Sequence, residues 1–292
     1  MIRGNEDDDG HDDDVVDEEI LVLFASPMGK QAAQDISQQI PRQLSPEGLQ
    51  KWTGASSSSS KKIPCDVTAR HMQLDDFLEL EEAPWTRIVV IVVSSYGSGQ
   101  APLGGKRFRD FCDYLLEQKE QQKKKKKKKT KMLEGLSFCL LGLGDSRFSA
   151  EFENPTTTHD ALVGAGAKLI GTFGKADAAT GNQQLGVIAH WIDGLWPSLA
   201  AAITMTDDDD NATATSLDRQ QRRRRRQEER LKQMQQETMK ICYRIDPAFK
   251  KKKKEEKADP DNPEHLSTLM MLFGSVFVAI LAFFAQQQKL LE

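Results

Sequence analysis

The run IVVIVV at residues 88–93 constrains the fold of this chain more than any other feature. All six residues are β-branched, none is polar, and turn-forming residues follow them. A strand that faces solvent on one side alternates apolar and polar residues, whereas a strand buried on both faces does not. The run therefore predicts a central strand of a parallel sheet that helices cover on both sides.

Other apolar segments of similar length alternate with helical patterns along the chain. We predict the remaining strands at ILVLF (20–24), PCDVTARHM (64–72), residues 136–141 and AKLIGTF (167–173). Helical patterns run through Ile40, over residues 105–118 and over residues 187–202. Strands that alternate with helices form βαβ units. The sequence predicts an α/β fold with a doubly wound, five-stranded parallel sheet.

Runs of identical charged or polar residues mark the boundaries of this domain. Such runs cannot bury enough apolar surface to offset the entropy of ordering. We predict an acidic head at 1–18, a domain at 19–202 with insertions at 45–62 and 119–131, a charged and partly helical linker at 203–265, and a short tail at 286–292. The linker helix is predicted to be a solvated spacer, or to bind anionic lipid through residues 222–226.

The segment LSTLMMLFGSVFVAILAFFA, residues 266–285, contains no charged residue. As a helix it would span about 30 Å, the thickness of the hydrocarbon layer of a bilayer. We predict a C-terminal transmembrane helix that acts as a tail anchor, with a buried core helix as the alternative. The lysines at 250–254 favour a cytosolic position for the preceding domain. The length of the span favours the endoplasmic reticulum slightly over the outer mitochondrial membrane.

Doubly wound sheets bind ligands beyond the carboxyl ends of their strands. Three predicted loops leave those ends, and all three are rich in glycine and serine. The candidate cofactor-binding residues are Ser26, Pro27, Met28, Gly29, Lys30 and Gln31 in the first loop, Ser94, Ser95, Tyr96, Gly97, Ser98 and Gly99 in the second, and Leu143, Gly144, Asp145, Ser146, Arg147 and Phe148 in the third.

The chemistry of these loops suits a phosphorylated flat ring. The first loop precedes a helix N-terminus, where free N–H groups and the helix dipole attract an anion. Neither the P-loop pattern nor a GxGxxG fingerprint is present, so a monophosphate fits better than a di- or triphosphate. Tyr96 and Phe148 could hold a heteroaromatic ring between them. These features describe a site for flavin mononucleotide (FMN), although each loop alone is also compatible with a structural turn.

The segments ILVLFASPMGK, IVVIVVSSYGSGQAP, LSFCLLGLGDSRF and WIDGLWPSL resemble those of flavodoxin-like FMN domains, in the same order. They look most like the FMN module of the diflavin reductases, such as methionine synthase reductase and microsomal cytochrome reductase. The resemblance implies the strand order 2-1-3-4-5, a phosphate loop at 26–31 and flavin-stacking rings at Tyr96 and Phe148. It also implies a carbonyl at Gly97 that reorients with the redox state of the flavin, and an acid near the cofactor at Asp177.

The sequence also departs from this family. Met28 and Lys30 stand where the phosphate loop usually carries threonines, and GQAPLGG replaces a segment with two acids and an asparagine. The resemblance implies an electron carrier that receives electrons from a separate FAD- and NAD(P)H-dependent reductase, and the uncharged segment at 266–285 predicts that this carrier is anchored to a membrane. Two alternatives stay open: an autonomous NAD(P)H-dependent quinone-type reductase, and a membrane adaptor without cofactor. Nucleic-acid binding is not expected, because no aromatic residue interleaves the lysines at 123–129.

Overall fold

The computed structural model describes residues 18–54, 66–80, 85–124, 131–204 and 216–248. Its strands are β1 (Glu18–Phe24), β2 (Val67–Gln73), β3 (Ile88–Ser94), β4 (Ser137–Gly144), β5 (Lys168–Leu169) and β6 (Gly174–Asp177). Its helices are α1 (Pro27–Gln43), α2 (Pro46–Thr53), α3 (Leu74–Glu79), α4 (Lys106–Lys124), α5 (Glu153–Gly164), α6 (Gln183–Thr204) and α7 (Ser216–Ile245). The described residues up to Ile245 belong to one compact unit.

The strands form one sheet in the order β2-β1-β3-β4-β5, and every pair is parallel. This confirms the predicted α/β class and strand order. β3 lies at the centre with six buried residues in succession. Val90 and Val92 belong to a core with α1, α2 and α6 on one face of the sheet. Successive side chains of a strand point to opposite faces, so Val89 and Ile91 face the side of α3, α4 and α5.

The predicted fifth strand at 167–173 is wrong in its extent. In β5, Leu169 pairs with Phe138 of β4, and in β6, Gly174 pairs with Leu141 of β4. The edge segment between these two pairs is therefore two residues longer than the matching segment of β4. Gly171 lies in this interruption with φ 69°, a conformation that side chains other than glycine rarely adopt. The sheet consequently has six strand segments, and β6 brings Asp177 next to Gly144.

Helices occupy parts of the segments predicted as insertions. Pro46–Thr53 forms α2, which begins at the capping hydroxyl of Ser45 and buries Leu49. α4 continues to Lys124, and residues 55–65 and 125–130 lie outside the described ranges. The first predicted insertion therefore contains a separate helix, and the second begins as a continuation of α4.

α7 packs onto the domain, although the sequence analysis assigned its residues to a charged linker. Met234, Thr238 and Cys242 are buried, and their spacing of four residues places them on one stripe of the helix. The indole N–H of Trp85 donates a 3.0 Å hydrogen bond to the hydroxyl of Thr238, and the side chain of Gln235 donates to the Leu80 carbonyl at 2.7 Å. A polar composition concealed this stripe because most of its members are not aliphatic.

Three cysteines of the described residues, Cys112, Cys139 and Cys242, are free and buried. Burial raises the pKa of the Cys112 and Cys139 thiols, and raises that of Cys242 to about 12. The acidic head was predicted at 1–18, but Glu18 is the first residue of β1. Residues 1–17 of the head, Cys65 and the predicted anchor at 266–285 lie outside the described residues. Among the helices that are described, none combines the length and apolarity needed to cross a bilayer.

Replacing Thr238 with valine should destabilise the domain by about 1–3 kcal/mol, because the buried indole N–H of Trp85 would lose its acceptor. The measurement is urea unfolding followed by tryptophan fluorescence. Thr204→Val is the matched control: both threonine hydroxyls donate to the carbonyl four residues earlier, at 2.9 Å, but only Thr238 accepts from an indole. Equal effects of the two substitutions would contradict the packing of α7.

Candidate functional site

The three loops predicted to bind a cofactor lie side by side at the carboxyl edge of the sheet. They follow β1, β3 and β4, which are neighbours in the strand order. Two backbone hydrogen bonds extend the sheet into the loops: the Ala25 amide donates to the Val92 carbonyl at 3.1 Å, and the Ser95 amide donates to the Leu143 carbonyl at 3.0 Å. Segments that are far apart in sequence thereby form one surface.

The first loop is a tight turn from β1 into α1. Ser26 has φ 91° and is the sole residue other than glycine with a positive φ in the described ranges. Its hydroxyl caps α1 by accepting from the Gly29 amide at 3.2 Å, and its carbonyl accepts from the Lys30 amide at 2.9 Å. Such a conformation costs about 1–3 kcal/mol and persists where the surroundings enforce it, often at ligand-binding sites.

The side chains of the first loop leave the helix N-terminus open to an anion. Pro27, Met28, Lys30 and Gln31 are exposed, and the first turn of α1 contains no acid. Gly29 is buried, with little room for a Cβ between the Ser26 hydroxyl and the Val92 carbonyl. The positive end of the helix dipole and the Lys30 ammonium both favour negative charge here.

The second loop is closed by a pair of backbone hydrogen bonds between Tyr96 and Gln100, at 2.8 and 2.9 Å. Gly97 and Gly99 have φ 56° and 91°, and Ser98 lies exposed between them. A Cβ on Gly97 would meet no atom within 4 Å, so this position needs glycine for its backbone conformation and not for space. The tyrosine ring is 69% exposed and is available for stacking.

A buried asparagine that the sequence analysis did not identify holds the second loop in place. Asn154 donates from its side chain to the Ser94 carbonyl at 2.9 Å and from its amide to the Ser95 hydroxyl at 3.1 Å. Arg109 donates to the Gly99 carbonyl at 3.1 Å and to the Asn154 side-chain oxygen at 3.3 Å. No local sequence signal reveals this role, because it depends on how α4 and α5 pack beside β3.

The third loop is a turn in which the Phe148 amide donates to the Asp145 carbonyl at 3.0 Å. The Arg147 guanidinium binds the Asp145 carboxylate, with an Nε to Oδ1 distance of 2.8 Å. The Phe148 ring is 54% exposed. Gly144 has no room for a side chain, since a Cβ would lie 2.4 Å from the Glu151 carbonyl oxygen. The Leu143 side chain lies in the core, so this predicted site residue can offer a ligand its backbone only.

Asp177 connects the third loop to the end of β6. Its carboxylate accepts from the Ser146 amide at 2.9 Å and from the Ala179 amide at 2.8 Å. Hydrogen bonding from Ser146, and then from Ala179, holds the pKa of Asp177 below its usual range. Hydrogen bonding from Arg147 likewise lowers the pKa of Asp145. Both carboxylates are therefore charged near neutral pH, and they place negative charge at one side of the loop cluster.

Together the loops combine one open helix N-terminus with two exposed rings. The structure brings the predicted residues of all three loops and Asp177 to the same edge of the sheet. An exposed aromatic ring stacks on a flat heterocycle, and a helix N-terminus holds a phosphate. The assignment of each residue to a ligand contact stays a prediction.

Comparison with known proteins places this domain among flavodoxin-like folds. The family model described as Flavodoxin matches residues 55–191, slightly less than half of the chain. The chain contains a flavodoxin-like domain, and the match begins after the first loop. None of the curated proteins compared with the chain matches it.

Several solved flavodoxins resemble the chain at low identity. A cysteine-to-serine mutant of flavodoxin from Pseudomonas aeruginosa is 16% identical, with a TM-score of 0.39 over 64% of this chain and 99% of that one. Flavodoxin 1 from Bacillus cereus is 12% identical, with a TM-score of 0.37 over 61% and 96%. A Streptococcus pneumoniae TIGR4 flavodoxin is 18% identical, with a TM-score of 0.36 over 61% and 97%. A closer likeness to diflavin reductases stays a prediction.

Replacing Asp177 with alanine should release the third loop, because the Ser146 and Ala179 amides lose their acceptor. We expect faster amide hydrogen exchange at Ser146 near neutral pH, measured by NMR. Asp193→Ala, which removes an exposed acid from α6, is the control and should leave this exchange unchanged.

The same contact should depend on pH with a defined sign. The folded pKa of Asp177 is lowered, so its stabilising effect is fully present above the ordinary aspartate pKa of about 3.9 and is lost as the pH falls through the lowered value. An acid titration of the Ser146 amide shift should therefore show a midpoint below about 3.9. A midpoint at or above that value would contradict the hydrogen-bonding arrangement.

Proposed function

We propose that this chain is a membrane-anchored FMN-binding protein that transfers electrons from a separate reductase to an acceptor. One observation carries the proposal: a capped helix N-terminus at Ser26 and exposed rings at Tyr96 and Phe148 lie on three loops that share the carboxyl edge of a flavodoxin-like sheet. The match to the flavodoxin family implies FMN as the cofactor.

The residues at this edge fit FMN in charge and shape. The first turn of α1 and Lys30 would hold the phosphate, with the ammonium compensating for the hydroxyls that Met28 and Lys30 replace. Tyr96 and Phe148 would stack on the ring system and exclude water from it. The backbone of residues 143–146 would lie along its edge. When bound, FMN supplies a centre that accepts two electrons and can release them one at a time.

The charged groups near this site would tune the reduction potential. Asp145 and Asp177 have lowered pKa values and stay ionised at neutral pH. Negative charge beside a bound flavin opposes the addition of an electron, and Lys30 at the phosphate acts in the opposite sense. Arg147, which is paired with Asp145, attenuates the negative field.

The electron donor in this proposal is a separate FAD- and NAD(P)H-dependent reductase. Electron transfer from a reductase requires that the flavin edge be reachable, which the exposure of Tyr96 and Phe148 permits. Flavodoxin-like domains that accept electrons from reductases offer a coarse precedent for this arrangement.

The membrane anchor is proposed from the uncharged segment at residues 266–285. Its length matches a bilayer, and the lysines at 250–254 favour a cytosolic domain. The endoplasmic reticulum is the proposed membrane, on the basis of the span length. The flavin site would then face the cytosol.

FMN binding is the first test of the proposed function. The full chain in detergent should acquire visible flavin bands on incubation with FMN and retain them through gel filtration. Tyr96→Ala and Phe148→Ala should each weaken binding about 3- to 10-fold, the equivalent of the roughly 0.5–1.5 kcal/mol of an aromatic pair. The measurement is quenching of FMN fluorescence during titration.

Val163→Ala is the control for these substitutions. This residue is 40% exposed at the end of α5, on the opposite edge of the sheet, and its truncation should not change FMN affinity. Unchanged affinity in both aromatic variants would place the flavin elsewhere. A protein that binds no FMN would favour the adaptor, and rapid bleaching of bound FMN by NADPH alone would favour the autonomous reductase.

Deleting residues 266–292 should release the protein from membranes, because the uncharged segment supplies the apolar area for insertion. The measurement is carbonate extraction of membranes from cells that express either form. The full chain should stay in the pellet and the shortened chain should move to the supernatant. Extraction of both forms would contradict the anchor, and the FMN titration of the shortened chain would test the flavin site independently.

A further inference from the structure

A cationic cavity lies on the side of the domain that α7 covers, and the proposed function does not use it. Its volume is about 590 Å³. It is bounded by α4, α7, the end of α5 and the segment before β4, and we call it the α4–α7 groove. Five basic side chains define it: Lys119, Lys131, Arg230, Lys240 and Arg244. Apolar side chains such as Leu115 and Met234 also line it.

The groove carries an excess of positive charge that its own acids do not neutralise. Two acids line it, and each is already paired: Glu134 with Lys131 at 3.1 Å, and Glu237 with Lys240 at 2.6 Å. Among the ion pairs of the described residues, none includes Lys119 or Arg230. Two basic runs adjoin the groove in sequence, at 123–129 beside α4 and at 222–226 in α7.

The acidic head begins close enough to the groove to reach it. Lys119 lies near the end of α4, Lys131 precedes β4 and Gly164 ends α5, so the groove lies toward the amino edge of the sheet. β1 begins at Glu18 on the same edge. β1 and β4 are separated by two strand spacings, about 10 Å, and the helical layer adds about 10 Å. A chain of about 17 residues reaches about 55 Å when extended and about 23 Å as a coil.

We propose that the acidic head of this chain, residues 6–17, binds in the α4–α7 groove of the same molecule. The head contains eight carboxylates in twelve residues. These would pair with Lys119 and Arg230, two cations of the groove that have no carboxylate partner among the described residues. Tethering gives the head an effective concentration on the order of millimolar, so weak individual contacts suffice.

The groove suits this occupant better than a flat anionic surface. It is concave, and a peptide can enter it where a bilayer cannot. Binding of the head would also neutralise the positive charge of the α4–α7 groove, because the head contributes eight negative charges. The acidic head thereby acts as an internal competitor for any acidic partner of the α4–α7 groove.

The test is zero-length carbodiimide cross-linking of the full chain in detergent, with the products mapped by mass spectrometry. We expect head carboxylates linked to Lys119, Lys131 and Lys240 in preference to Lys51, Lys168 and Lys232. The yield should fall several-fold at about 1 M salt, where the Debye length is about 3 Å. Products joining two molecules, or a yield spread evenly over exposed lysines, would overturn the proposal.

Two paired variants make this test specific. Lys119→Gln with Arg230→Gln should lower the yield at Lys131 and Lys240 several-fold, because the unpaired cations are gone while the reporting lysines remain. Arg42→Gln with Lys232→Gln removes two exposed cations outside the groove and should leave the yield unchanged. Equal yields in the two variants would overturn the proposal.

A labelled peptide with the sequence of residues 4–17 provides a second measurement, by fluorescence anisotropy. The wild-type chain should bind it weakly, because its own head occupies the groove. A variant that combines Asp7→Asn, Asp8→Asn, Asp9→Asn, Asp12→Asn, Asp13→Asn and Asp14→Asn should bind the peptide about tenfold or more tightly, as expected when a tethered competitor is removed. Equal affinities would show that the head does not occupy the groove.

Discussion

Burial of β3 on both faces is the constraint on which the rest of the structure depends. Six residues of this strand are shielded from water, which requires a strand on each side and a helical layer above and below. Because β1 and β4 pair with β3 in parallel, their carboxyl ends meet at one edge. The three loops of the candidate site are therefore neighbours as a consequence of packing at the centre of the sheet.

Within that edge, hydrogen bonds from polar side chains hold the loop backbones in place. Asn154 and Arg109 fix the second loop through its carbonyls, and Asp177 fixes the third loop through the Ser146 amide. Ser26 maintains a strained backbone by capping the helix that it precedes. The exposed rings of Tyr96 and Phe148 therefore lie on loops whose backbones are fixed by hydrogen bonds to side chains of other segments.

The sequence predicted the elements with strong apolar patterns and missed those set by distant contacts. Continuous runs such as IVVIVV identify buried strands, and glycine-rich ends identify the loops, so the predicted fold class was correct. The strand order, which the resemblance to flavodoxin-like domains implied, was also correct. The interruption at Gly171 escaped detection because AKLIGTF reads as one strand until its register against β4 is known. The role of Asn154 was not predicted, because no neighbouring residue in the sequence indicates that its side chain is a buried hydrogen-bond donor. The buried stripe of α7 was not predicted, because polar residues such as Thr238 and Gln235 are usually found on the surface.

The hydrogen bond between Trp85 and Thr238 joins residues that are 153 positions apart in sequence. Closing so long a loop is entropically unfavourable until the intervening sheet has formed, so α7 docks late in folding. During synthesis the amino-terminal residues emerge first, and the surface around Trp85 stays uncovered until about four fifths of the printed chain has been made. For that interval the nascent domain presents an apolar patch, which is the condition under which chaperones bind and under which partly made chains associate.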